Sequence, residues 1–317
     1  MKLYQDVQEA EKRIRPYIYE TPLEESLLLS KQIGANVFLK CEHLQKTGSF
    51  KFRGALNKIL LLSDKEKSKG VIAASTGNHG QGVALAAKIT GIKATIYVPS
   101  DASPMKLKSI EALGARIEPY QGDCLEAEIH ARQIAESNNI TFISPYNDST
   151  VIAGQGTIGI ELTRQHKGLD AIFVSVGGGG LISGVASYLK QSNPNIKIIG
   201  CWPENAPAMH ECIKAGKIFD VPEKPTISDG TAGGVEPGAV TFPICKDLID
   251  QHVLVSEGEI IAAMRLLAEH ERTIVEGAAG VAMAALIKTA DIFRGKTVAV
   301  VLCGRNISFD KFKEVTK

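Results

Sequence analysis

The sequence predicts an α/β protein built as two doubly wound, mostly parallel sheet domains. Three observations carry that expectation. From Gly70 onward, short apolar runs alternate with amphipathic ones, the order expected of parallel strands joined by right-handed helical crossovers. Several of the apolar runs end directly in glycine-rich or polar turns, as strands do where an open sheet meets a ligand. The chain has 317 residues, of which 44% are apolar, enough for more than one core.

Taken in order, residues up to about Thr21 read as an amphipathic helix ended by the extended YIYET and Pro22. ANVFLKCE is a strand, and after the turn that carries Lys51, FRGALNKILLLSD is a helix. GVIAAST is a buried strand, GQGVALAAKITG a helix with a glycine stop, KATIYVPS a strand, and PMKLKSIEALG a helix with proline in its first turn. RIEPYQ, CLEAEIHARQIAESNN and TFISPYN continue the alternation as strand, helix and strand. A second series follows. AGQGTIGIELTRQHKG is a helix, AIFVSVGGGG an apolar strand running into glycines, LISGVASYLKQS a helix, KIIGCWPE a strand and PAMHECIKAG a helix. Residues 217–237 are rich in proline and glycine and read as an irregular loop near a site, with a plain surface excursion as the competing reading. VLVSEGEIIAAMRLLAEHE is then a strand and a Ser256-capped helix, EGAAGVAMAALIKT a helix of small residues, and TVAVVLCGRN a last buried strand. The division this suggests is a small inserted domain at 70–147 and a larger domain formed by 1–69 with 148–317.

Composition narrows the function. A net charge of +1 provides no field for nucleic acid or an anionic membrane, so a small-molecule partner is expected. Six scattered cysteines without a CxxC pair indicate neither a zinc knuckle nor a disulfide framework, which suits a reducing cytoplasm. The polar N-terminal helix and the absence of any run of about eighteen apolar residues point to neither an export signal nor a membrane span.

The chemistry gathers at a few places. Lys51 sits between Phe50 and Phe52 just after a Gly-Ser turn, and an ammonium kept from water by apolar rings shifts toward its neutral, nucleophilic form. Lys46 is the alternative, and taken alone both read as solvated lysines. Ser75-Thr76-Gly77-Asn78-His79-Gly80, Gly177 to Gly180, Thr231 to Gly234, and Cys303-Gly304-Arg305-Asn306 all have the grammar of strand-end ligand loops. Four consecutive glycines between strand and helix each cost about 1 kcal/mol in chain entropy, which a phosphate cradled by their N–H groups would explain. A mere tight turn needs fewer. The GxGxxG spacing fails here, and neither a P-loop nor a GxSxG elbow occurs. His79, His130 and His210 lack metal spacing, and His130 and His210 read as helix-surface residues. A reactive lysine with a phosphate cradle but no nucleotide fingerprint points to pyridoxal 5′-phosphate.

SFKFRGA around Lys51, STGNHGQGVA, AGQGT, VGGGGLISG, EGAAG and LCGRN, in that order along nearly the whole chain, resemble the fold-type II pyridoxal-phosphate enzymes of the threonine/serine dehydratase and serine racemase branch. The resemblance implies the tryptophan synthase β-like fold, a homodimer, and a large domain that holds the cofactor. It makes Lys51 the Schiff-base lysine and the base at Cα, with Phe50 near the ring and Asn78 on its 3′-hydroxyl. Gly177, Gly178, Gly179 and Gly180 would hold the phosphate, Gly230 and Glu276 would border the ring, and Cys303 would face the pyridine nitrogen. A neutral thiol there leaves a weaker electron sink, favouring loss of a β-leaving group over transamination; without the other motifs Cys303 reads as a small buried hydrophobe. Ser75, Thr76, Asn78 and His79 would clamp the substrate carboxylate at a helix N-terminus.

Departures from the family pattern shape the expected activity. Racemases carry a serine hydroxyl opposite the lysine where this chain has Thr76, and acidic metal ligands where it has Trp202, Ala206 and Ala208, so no metal is expected. Arg305 replaces a glycine and either selects an acidic substrate or faces solvent. The regulatory domain of biosynthetic threonine dehydratases does not follow the catalytic body, which suggests a catabolic role. The expected activity is an ammonia-lyase converting a β-hydroxy-α-amino acid such as L-threonine or L-serine to a 2-oxo acid and ammonia. The alternatives are a serine or amino-acid racemase, a dehydratase specialised for 3-hydroxyaspartate or a hydroxyectoine breakdown product, and a relative that binds the cofactor without catalysis.

Overall fold

A computed structural model describes residues 2–102, 104–122 and 124–317; Met1, where the N-terminal helical run starts, lies outside them. The chain begins with α1 (Lys2–Ile14), β1 (Leu23–Glu25), α2 (Leu27–Ile33), β2 (Asn36–Lys40), α3 (Lys51–Leu60) and α4 (Asp64–Lys69). It then alternates through β3 (Val71–Ala74), α5 (Asn78–Thr90), β4 (Ala94–Pro99), α6 (Pro104–Ala112), β5 (Arg116–Tyr120), α7 (Cys124–Ser137) and β6 (Thr141–Phe142). The second series is α8 (Ser149–Gln165), β7 (Ala171–Ser175), α9 (Gly180–Ser192), β8 (Lys197–Pro203) and α10 (Ala208–Ala215). After the irregular stretch come α11 (Thr241–Leu248), β9 (Gln251–Val255), α12 (Glu257–His270), α13 (Gly277–Lys288), β10 (Thr297–Val301) and α14 (Phe309–Val315).

The strands form two sheets, as the alternation predicts. The larger runs β1-β2-β10-β7-β8-β9 and the smaller β5-β4-β3-β6. Every pairing is parallel except that of β1 with β2. Strands covered on both faces need unbroken apolar runs, and β7 (AIFVS) and β3 (VIAA) are buried at every position. Helix starts follow local chemistry. Ser63 and Ser256 form capping boxes with Glu66 and Glu259, and the Asp148 carboxylate accepts the Thr150 and Val151 N–H groups to start α8.

Several sequence expectations shift here. The first helix stops at Ile14, followed by a short 3-10 turn over Arg15–Tyr17, because the turn places Pro16 near a helical start and the chain then runs extended. TFISPYN contributes only the two-residue strand Thr141–Phe142 before turning. β1, α2, α11 and α14 are additions that the strand-helix alternation does not signal, being short and lying outside the repeating series. His130 and His210 are half-buried rather than plain surface residues: His130 stacks on Tyr120 at 4.5 Å between centroids, and His210 Nδ1 lies 2.9 Å from His252 Nδ1. Among the described residues no helix is long and apolar enough to cross a membrane.

Two packing devices bring α3 to its place between the sheets. Its apolar side, Phe52, Ala55, Leu56 and Ile59, lies in one core with Val71, Ala73 and Ile96 of the smaller sheet. Its other side meets α8 so closely that a Cβ on Gly154 would stand 2.7 Å from the Arg53 carbonyl oxygen, and one on Gly54 2.7 Å from that of Val151. Beneath it, Arg53 is fully buried and its guanidinium spans two carboxylates, Glu42 at 2.8 Å and Glu161 at 2.7 Å. Glu161 also accepts from Lys40 at 2.6 Å and Arg15 at 2.5 Å. Buried charges persist only when paired in this way.

Candidate active site

The carboxyl ends of both sheets face a cavity of about 480 Å³. Lys51 opens α3 at its edge. Gly48, with φ +71°, turns the chain; Phe50 N–H then donates to the Cys303 carbonyl at 3.2 Å and Ser49 pairs with Gly304, tying this turn to the end of β10. The Lys51 amine donates to the Pro145 carbonyl at 3.0 Å and sits 5.4 Å from the centre of the Phe50 ring. Burial pulls its pKa down to about 8, against the opposing pull of Cys303, Glu128 and Glu276. The expected pair of flanking rings is half right, because Phe52 turns away into the core and only Phe50 stays beside the amine. Lys46 is exposed, 5.2 Å over the Tyr19 ring, and lies outside the cavity lining.

Opposite stands the N-terminus of α5. Ser75, Thr76, Gly77, Asn78 and His79 all line the cavity, and the first-turn N–H groups of a helix are a ready anion site. Asn78 donates to Glu276 Oε1 at 2.7 Å and accepts from the Asn306 amide, while Asn306 N–H donates to Glu276 Oε2 at 2.9 Å. The buried His79 Nε2 lies 2.7 Å from the Ile143 carbonyl oxygen, which can only accept, so the proton sits on Nε2, and the buried Nδ1 has no partner among the described residues. Burial, helped by the nearby Lys51 charge, drops its pKa to about 3. His79 is therefore a neutral ring.

Gly177, Gly178, Gly179 and Gly180 follow β7 and lead into α9, all four lining the cavity. Side chains are excluded here for close approach as much as for backbone access. A Cβ on Gly178 would stand 2.5 Å from the Tyr146 ring, one on Gly177 2.9 Å from the Thr231 backbone oxygen, and Gly179 adopts φ +85°. Cys303 is buried at the cavity wall, and burial raises its thiol pKa well above the usual range, reinforced by the Glu276 carboxylate. Gly230 and Glu276 line the same wall. The residues the family resemblance assigns to cofactor and substrate thus all line this one cavity, whereas Lys46 and Arg305 lie outside its lining.

Four residues to which the sequence assigned no role join them. Tyr146 lies across the glycine turn, its hydroxyl accepting the Glu236 N–H at 2.9 Å; Asn306 bridges Asn78 and Glu276; Glu128 and Glu236 line the cavity as well. Asn306 was legible as the polar end of LCGRN. The other three come from segments with no motif of their own.

An amine of lowered basicity, a glycine turn opening a helix, a side-chain amide and a neutral thiol around one cavity suit an aldehyde-bearing phosphate ester with an aromatic ring. Residues 14–304 match the profile of the family described as pyridoxal-phosphate dependent enzymes. The chain belongs to that family. As a pyridoxal-phosphate-dependent enzyme it is 43% identical to L-threonine ammonia-lyase of Thermotoga maritima over 311 residues, 98% of this chain and 77% of that protein. Its fold matches the processed form of threonine deaminase isoform 2 from Solanum lycopersicum with a TM-score of 0.95, 37% identity and coverage of 99% and 92% of the two chains. The serine racemase of Dictyostelium discoideum follows with a TM-score of 0.89 and 38% identity, over 96% and 99%. The family's cofactor is the one the cavity suits.

Proposed function

We propose that this enzyme is an ammonia-lyase that converts a β-hydroxy-α-amino acid, such as L-threonine or L-serine, to a 2-oxo acid and ammonia. The observation that carries the reading is the placement of the Lys51 amine, of lowered basicity, between the α5 N-terminus and the glycine turn of α9. Bound pyridoxal phosphate supplies an electron sink that acidifies the substrate Cα–H. Around it we assign Gly177, Gly178, Gly179 and Gly180 to the phosphate, Asn78 to the ring hydroxyl, and Phe50, Gly230, Glu276 and Cys303 to the ring. The N–H groups at the start of α5, with the hydroxyls of Ser75 and Thr76 and the turn that carries Asn78 and His79, orient the substrate carboxylate, which fits the positive end of a helix. Lys51 would hold the cofactor aldehyde and, once the substrate amine has displaced it, its freed amine would take the Cα proton. Loss of the β-hydroxyl as water leaves an enamine that regains water on hydrolysis, giving the 2-oxo acid and ammonia. Cys303, held as a neutral thiol, would offer the ring nitrogen no carboxylate to keep it protonated, which favours elimination over transamination.

Lys51→Ala is expected to abolish both 2-oxo acid formation and the visible absorbance of the cofactor-loaded protein. Retained turnover of L-threonine by this variant would defeat the assignment. The structural likeness to serine racemases supports racemisation as a second reading, although Thr76 stands in the cavity wall where racemases carry serine. Chiral analysis of an L-serine incubation separates the two: the lyase makes pyruvate faster than D-serine. We further read the molecule as a cytoplasmic homodimer, with 70–147 as a lobe inserted into a cofactor-holding body of 1–69 and 148–317; light scattering of the purified protein tests the dimer.

A further inference from the structure

With the lysine, the carboxylate clamp and the glycine turn taken up, the wall left for a substrate side chain is formed by α7 and the loop before α11. The ionised groups on that wall are acidic. Glu128 on α7 and Glu236 on the loop both line the cavity. Arg132 draws them together from behind, its Nη2 donating to Glu128 Oε1 and to Glu236 Oε1, both at 2.7 Å. Glu236 is held further by Asn147, whose amide donates to Oε2 at 2.9 Å, and by its own N–H on the Tyr146 hydroxyl. One guanidinium against two carboxylates leaves a net negative charge. Its field reaches the reacting end, since Glu128 raises the basicity of Lys51.

The only lysine or arginine among the described residues lining the cavity is Lys51, which the cofactor engages. Arg305 does not answer this charge. It is exposed and packs beside Gly48, outside the lining.

We propose that Glu128 and Glu236 form an anionic wall facing the substrate side chain, a specificity element that admits short uncharged β-hydroxyamino acids and rejects those carrying a second carboxylate. The inference rests on the ammonia-lyase reading and names the substrate class within it. It removes the 3-hydroxyaspartate alternative, whose motive was Arg305. A second carboxylate brought within several ångströms of two acids in a partly dehydrated cavity is repelled by enough to change rates by on the order of tenfold per charge.

The test compares kcat/KM for L-threonine and L-threo-3-hydroxyaspartate in the cofactor-loaded wild type, Glu236→Gln and Glu128→Gln. The wild type is expected to prefer threonine at least about a hundredfold, and each variant to narrow that ratio by on the order of tenfold. Equal turnover of the two substrates by the wild type, or an unchanged ratio in both variants, would overturn the wall. Calorimetric binding of L-alanine against L-aspartate keeps the two ideas apart. A preference for alanine that the variants relax, with no turnover of any hydroxyamino acid, supports the wall and sinks the lyase reading. Turnover of threonine with equal binding of alanine and aspartate does the reverse.

Discussion

At the residue scale, two bases that line the cavity, Lys51 and His79, are both held toward neutrality by lost hydration. For Lys51 that state suits a nucleophile. For His79 it has a consequence for stability. The folded pKa, about 3, lies below the ordinary value of 6.5. Between those two values the unfolded chain binds a proton that the folded chain refuses, so stability is present above 6.5 and falls as the pH drops through that window. His79→Gln keeps an N–H donor for the Ile143 carbonyl but cannot titrate. Urea unfolding at pH 7 and pH 4 is expected to show the wild type losing ~3 kcal/mol more than this variant over that interval. Equal losses would show that the ring is protonated in the folded state.

At the scale of elements, AGQGT does different work from the loop motifs it accompanies. Its glycines lie inside α8 rather than in a turn, and Gly156 faces Gly184 of α9 so tightly that a Cβ on either would collide with the other helix's backbone. A Cβ on Gly184 would stand 2.6 Å from Gly156 N. Backbone cannot yield as a flexible side chain can. Gly184→Ala is therefore expected to destabilise the fold by about 1–3 kcal/mol, read as a lowered urea midpoint. An unchanged midpoint would mean that the two helices separate without loss.

At the scale of the molecule, the reactive helix is anchored by a cluster of charges whose centre, Arg53, Lys40, Glu42 and Glu161, is fully buried. Arg53, two residues beyond Lys51, joins Glu42 from the loop after β2 to Glu161 from α8, and Lys40 and Arg15 complete the set. With Arg164, which bridges Glu11 and Glu20 at the rim, four cations face the carboxylates of Glu11, Glu20, Glu42 and Glu161, so the cluster balances in sign. Removing one member leaves a buried charge without its partner. Arg53→Met is expected to cost roughly 3–5 kcal/mol, with Arg53→Lys, which keeps the charge but loses the fork, falling between it and the wild type. Denaturation midpoints of the three proteins decide the order.

Periodicity alone determined the two sheets, their parallel sense and the strand ends that meet the cavity, because the alternation of strand and helix leaves few topologies open. Local grammar likewise marked the four glycines, which forfeit packing in their own segment, whereas the roles of Lys51, Asn78 and Cys303 came from the family resemblance. What the tertiary structure decided was direction. Lys46 and Lys51 are five positions apart in one polar stretch, and only the fold sends one outward and the other to the cavity. Arg305 beside the site in sequence is turned from it in space, whereas Glu128, Tyr146 and Glu236, far apart in the chain, converge on it. Side-chain direction and the meeting of distant segments depend on how whole elements pack, and no window of sequence contains that information.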